Sequence, residues 1–98
     1  MRLFKRKKDE KISQDWRLVG YGGRLNGHTF HYKDFVSSET NDHDHCTFCN
    51  TTITDLDIKD EEILRSGYCT IYEKTGQEWW VCEKCFEEFK DRFDFKTL

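Results

Sequence analysis

Asp42-His43-Asp44-His45-Cys46-Thr47-Phe48-Cys49 places six potential metal ligands within eight residues. After a gap of thirty-two residues the cysteine spacing recurs, as Cys82-Glu83-Lys84-Cys85. Two residues between thiolates let a tight backbone turn offer both sulfurs to one ion while turn amides donate to them. A second such pair completes tetrahedral coordination. The spacing therefore predicts one structural Zn2+ on Cys46, Cys49, Cys82 and Cys85. Four protein ligands leave no position for water or substrate, so the ion would staple the fold and not react. His43 and His45 are then surplus, as donors behind the sulfurs or as plain loop residues. Two competing assignments are His45 in place of one cysteine, and a second ion held by Asp42, His43, Asp44 and His45.

The rest of the composition explains why a staple would matter. Ninety-eight residues make one domain near the size at which a core often needs help. Hydrophobic and charged residues are each 36% of the chain, so the aliphatic core must be thin. Eight Phe, four Tyr and three Trp supply the missing area, since each ring buries far more surface than a Val. Residues 1–11, MRLFKRKKDEK, carry six Lys/Arg against two Asp/Glu, and residues 12–98 carry ten against seventeen. No apolar run follows the basic leader, which reads as a disordered tail and not as a signal peptide or membrane span. The expected location is cytoplasmic, where paired cysteines hold metal more often than they form disulfides.

The order of elements follows from local patterns. WRLVGYGGRL, Asn26-Gly27 and HTFHYKDFV predict an N-terminal β-hairpin around a type I′ turn, with Gly20, Gly22 and Gly23 marking a bulge. Residues 37–44 form a polar loop. TTITDLDI alternates like a short strand, and DEEILRSG suggests one or two helical turns ending at Gly67. YCTIYEKTGQEWWVC predicts a second hairpin turning at Thr75-Gly76, which would oppose Glu73 to Glu78, Ile71 to Trp80 and Cys69 to Cys82. Opposed glutamates are unfavourable, so that register conflicts with its own charges. Cys69 reads as a small buried residue, with a spare ligand or redox-sensitive thiol as alternatives. In CFEEFKDRFDF, Phe86, Phe89 and Phe93 fall on one face of a helix.

A CxxC knuckle, a hairpin and a second CxxC opening a helix resemble the treble-clef zinc finger over residues 43–95. The chain also resembles short bacterial zinc-binding proteins that begin His-Asp-His-Cys-x-x-Cys and finish Trp-x-Cys-x-x-Cys-Phe. The resemblance implies a zinc-stapled treble-clef unit and no activity; with the N-terminal β-hairpin read from residues 16–36 packed on that unit, the expected fold is α+β.

Enzymatic readings fail on residues. Treble-clef nucleases of the HNH type place a catalytic His between the ligand pairs, and residues 50–81 contain none. Zinc deaminases need His-x-Glu and Pro-Cys-x-x-Cys, and this chain has no proline. Rubredoxin-like iron sites carry glycine after the cysteines, where this chain has Asn50 and Phe86. The expectation is a non-enzymatic binding module with a protein partner, such as a small acidic inhibitor, immunity or regulatory protein from a bacterium or phage. Trp79 and Trp80 point to opposite faces of a strand, so one needs cover from the N-terminal hairpin or a partner. The alternative is a nucleic-acid-binding finger using the 1–11 arm with His28, His31 and Tyr32, although the acidic body disfavours broad phosphate contact.

Overall fold

The computed structural model describes residues 15–59 and 62–97; the basic segment 1–11 lies outside the described residues. The fold is α+β, mainly strands with one α-helix. A 3-10 turn, Trp16–Leu18, leads through a glycine-rich loop to β1 (Thr29–Asp34). β2 (Asp44–His45) and β3 (Thr52–Ile53) pair antiparallel on either side of the Cys46–Cys49 turn. β4 (Ser66–Tyr72) and β5 (Gln77–Val81) form a hairpin that runs into α1 (Glu83–Phe89), and β6 (Lys96–Thr97) closes the chain. The main sheet has the order β5-β4-β1-β6, with β1 antiparallel to β4 and parallel to β6.

The expected N-terminal hairpin does not form. Only its second arm is a strand, and that arm pairs with β4 and β6. The reason lies in the glycines: Gly20, Gly22 and Gly23 have φ of 80°, 65° and 71°, and three left-handed residues within four break regular strand pairing, where a bulge would need only one. They coil the chain so that Tyr21 and Leu25 enter the core. The Tyr21 hydroxyl caps the coil, donating to Asn26 Oδ1 at 2.8 Å and accepting from the Leu25 amide at 3.1 Å. At the Asn26-Gly27 turn only Gly27 is left-handed (φ 75°), the pattern of a type II and not a type I′ turn.

The second hairpin forms, but two residues away from the expected register. Tyr72 faces Gln77, Ile71 faces Glu78 and Cys69 faces Trp80, leaving Glu73–Gly76 as a four-residue loop with Gly76 at φ 74°. This register separates Glu73 from Glu78, relieving the like-charge pair, and sets Lys33 Nζ 2.9 Å from Glu78 Oε2. Cys69 therefore lies opposite Trp80 and not beside Cys82. The expected helical turn over DEEILRSG is also absent among the described residues. Leu64 instead bridges Ile53, and Ser66 opens β4.

The expected helix forms around Phe86 and Phe89 but ends at Phe89, so Phe93, the third residue of the expected stripe, lies beyond it and is half-buried against the core. Cys82 is the helix N-cap, with Sγ accepting from the Cys85 amide at 3.4 Å. Phe86 and Phe89 are buried. The chain leaves through a left-handed Asp94 (φ 57°), and the Phe95 amide donates to the Lys90 carbonyl at 2.9 Å, a Schellman closure. That closure returns Phe95 to the core, 4.8 Å from the Phe30 ring and 5.6 Å from Phe86.

Strand alternation divides the core between the two faces of the sheet. Phe30 and Val81 face the helix with Phe48, Phe86, Phe89 and Phe95, while Phe35, Ile53, Cys69 and Trp80 make a smaller cluster behind. The two tryptophans follow this division. Trp80 is 1% exposed, and Trp79 is partly covered by Tyr72 at 5.4 Å and the Arg24 guanidinium at 5.9 Å.

Phe86 stacks on Tyr68 at 3.7 Å and meets Phe30 edge-on at 5.3 Å. Phe86→Ala should cost about 3–5 kcal/mol in denaturant unfolding. Ile71→Ala, at a side chain 50% exposed, should cost about 1 kcal/mol or less.

Candidate metal centre

Two local structures deliver two sulfurs each. The Cys46–Cys49 turn is closed by the Asn50 amide donating to the Cys46 carbonyl at 2.9 Å, with Asn50 left-handed at φ 65°. β2 and β3 clamp this turn, and the Thr47 amide and hydroxyl both donate to the Trp80 carbonyl, at 2.7 and 2.9 Å. The knuckle is thereby attached to the end of β5. Just beyond that strand, α1 opens with Cys82 and Cys85 in its cap and first turn, where free amides and the helix dipole favour negative charge.

The Sγ atoms of Cys46, Cys49, Cys82 and Cys85 all lie within 4.8 Å of one another. Among the described residues they are the one group of three or more His, Cys, Asp or Glu arranged to hold a metal ion. The residues fit zinc. Sulfurs about 2.3 Å from a tetrahedral ion stand about 3.8 Å apart, and Cys49 Sγ and Cys82 Sγ are 3.7 Å apart. Each sulfur also has a donor. Cys46 accepts from the Phe48 and Cys82 amides at 3.4 and 3.3 Å. Cys82 accepts from the Cys85 amide, and Cys49 lies 2.9 Å from the Thr51 hydroxyl. Arg17 Nη1 reaches Cys85 at 3.8 Å.

Crowding four thiols distorts their proton affinities. Cys46 is held far below the ordinary thiol range because the Cys82 and Cys85 thiols donate to it, with backbone amides adding to the effect. The same contacts push Cys82 and Cys85 up.

The histidines stand apart from this group. His43 Nδ1 is 2.7 Å from Asp42 Oδ1, and His45 Nδ1 lies 3.3 Å from the Asn50 carbonyl; both side chains are exposed. His45 therefore touches the knuckle backbone behind the sulfurs, and the Asp42–His45 run does not converge on a second ion site. Cys69 is buried against Trp80 and Phe35, and burial pushes its thiol up to about 12.

Arg17 was not legible as part of this site. It sits sixty-eight residues from Cys85 in sequence, inside a segment whose pattern suggested a strand. Asp15 and Glu88 hold it at 2.8 and 2.7 Å and raise its proton affinity further, Asp15 contributing most. Its guanidinium carbon lies 4.6 Å from the Phe89 ring centre. The aspartate capping the 3-10 turn two residues earlier, Asp15, is the local signal, because it fixes Arg17 from its own side.

Comparison with protein-family models, curated proteins and solved structures finds no match. Among the described residues, no helix is long and apolar enough to cross a membrane.

Two measurements separate the cysteines and histidines by role. With its proton affinity raised, Cys69 stays neutral until well above ordinary thiol pH, so iodoacetamide at pH 8 should label it at least about 100-fold more slowly in the folded than in the denatured protein. His45→Ala should leave the fold intact, at a cost of about 1 kcal/mol or less by thermal unfolding, since only exposed contacts are lost.

Proposed function

We propose that this chain is a non-enzymatic binding module built on a treble-clef unit stapled by one Zn2+ and acting through a protein partner. The observation that carries the structural half is the convergence of four sulfurs, each with a hydrogen-bond donor, from a knuckle and a helix start. Cys46, Cys49, Cys82 and Cys85 would hold the ion. A site with four cysteine ligands keeps no open position, so its zinc contributes folding free energy and activates no water.

The binding half is supported by the uncovered part of the sheet. Thr29, His31, Lys33, Cys69, Ile71 and Glu78 line a groove of about 800 Å³ on the face of the sheet away from the helix. Ile71 is 50% exposed, and the Lys33–Glu78 pair spans the sheet beside it. An apolar centre with a polar rim suits a polypeptide. A small acidic inhibitor, immunity or regulatory protein matches the seventeen acidic against ten basic residues of 12–98.

Purified protein should contain close to one equivalent of zinc by metal analysis, and less than half in a reduced, folded sample would refute the staple. Cys82→Ser should lose both zinc and fold, because structural zinc contributes on the order of 10 kcal/mol. Acidification should release the ion with uptake of protons, since the ligands bind as thiolates. For the partner, affinity capture should return one stoichiometric protein, lost in an Ile71→Ala variant that still holds zinc. Full-length protein should bind duplex and single-stranded nucleic acid more weakly than about 1 μM near 0.15 M salt. Tighter binding there would favour a nucleic-acid-binding finger using the basic arm.

A further inference from the structure

We propose that Arg17 is the lock of the four-cysteine centre, covering the cavity that three of its cysteines line and setting how fast a bound ion leaves. The inference rests on the metal reading above and adds to it an exchange route and a residue that controls it.

The route follows from where the sulfurs meet solvent. Cys46 is 3% exposed and lies within the cluster of Phe48, Phe86 and Phe89. Cys49, Cys82 and Cys85 instead line a cavity of about 600 Å³, together with Asp15, Arg17 and Thr51. Of the four cysteines only Cys49 is not fully buried. Arg17 therefore stands on the approach by which a chelator, proton or oxidant reaches three of the four cysteines.

Arg17 is built into that opening. Its Nε and Nη2 are taken by Asp15 at 3.1 and 2.8 Å, and Nη2 also meets Glu88 at 2.7 Å. The guanidinium lies over the Phe89 ring, and its side chain is only 18% exposed. These contacts fix the fork so that Nη1 is directed at Cys85 Sγ, 3.8 Å away. The two carboxylates orient the cation and the cation faces the thiolates. Four thiolates around a divalent ion keep a net negative charge, which a guanidinium offsets and an alkyl chain cannot. A lysine would keep the charge but not the rigid fork that joins Asp15, Glu88 and Cys85 at once.

The test measures transfer of zinc from the full-length, zinc-loaded protein to excess chromogenic chelator at neutral pH. Arg17→Ala should release zinc about 10–100-fold faster than wild type, the range typical of lost outer-sphere donors, with Arg17→Lys intermediate. Lys84→Ala removes a cation from the same cavity wall and should stay within about twofold of wild type. In cobalt-loaded protein the sulfur-to-metal charge-transfer band should shift for Arg17→Ala and not for Lys84→Ala. Arg17→Ala release within about twofold of wild type, or equal acceleration by Lys84→Ala, would overturn the lock. If Arg17→Ala does not fold, Arg17→Lys decides: faster release supports the lock and a wild-type rate overturns it. Wild-type protein that binds no zinc would overturn the metal reading itself, whereas wild-type retention with unchanged variant rates would overturn the lock alone.

Discussion

Bringing four cysteine sulfurs to within 4.8 Å of one another is the constraint on which the molecule is organised. The thiols so gathered strongly perturb one another's proton affinities. Gathering them joins a knuckle to the first turn of a helix across thirty-two intervening residues. Those residues must then leave the knuckle and return beside it, which a hairpin does in the shortest path. The attachment of Thr47 to the Trp80 carbonyl fixes where the return ends.

Around that junction the aromatic rings do what aliphatic residues do in larger domains. Phe30, Phe48, Phe86, Phe89 and Phe95 come from a central strand, the knuckle, the helix and the chain beyond it. No two of these elements share a long contact surface, so each contributes one or two large groups to a common centre. This suits a chain that is 36% charged, because few positions need to be apolar if each is large.

What could be read from sequence tracks how local the cause is. The CxxC pairs, the helix with Phe86 and Phe89, and the existence of the second hairpin depend on spacing within a few residues, and all appear. The hairpin register was undetermined by its turn, because Thr75-Gly76 serves a two- or a four-residue loop equally well. Charge resolved it, by separating Glu73 from Glu78 and pairing Glu78 with Lys33. The N-terminal hairpin was misread because glycine in a strand-like pattern suits a bulge or a coil, and only φ distinguishes them. Arg17 escaped notice because its relation to Cys85 exists only in three dimensions.

The placement of β1 between β4 and β6 has a consequence for how the protein is made. Among the described residues β1 is the first strand to be synthesised, yet its antiparallel neighbour begins at Ser66 and its parallel neighbour at Lys96. During translation its backbone donors and acceptors have no mates, and Phe30 has no helix to meet. The sheet cannot close vectorially behind the ribosome, because its second-to-last position is filled from the start of the fold and its edge from the end. Long-range closure of this kind makes assembly slow and cooperative. The early strand stays available to chaperones, or to another nascent chain, until the last pairing residues have emerged.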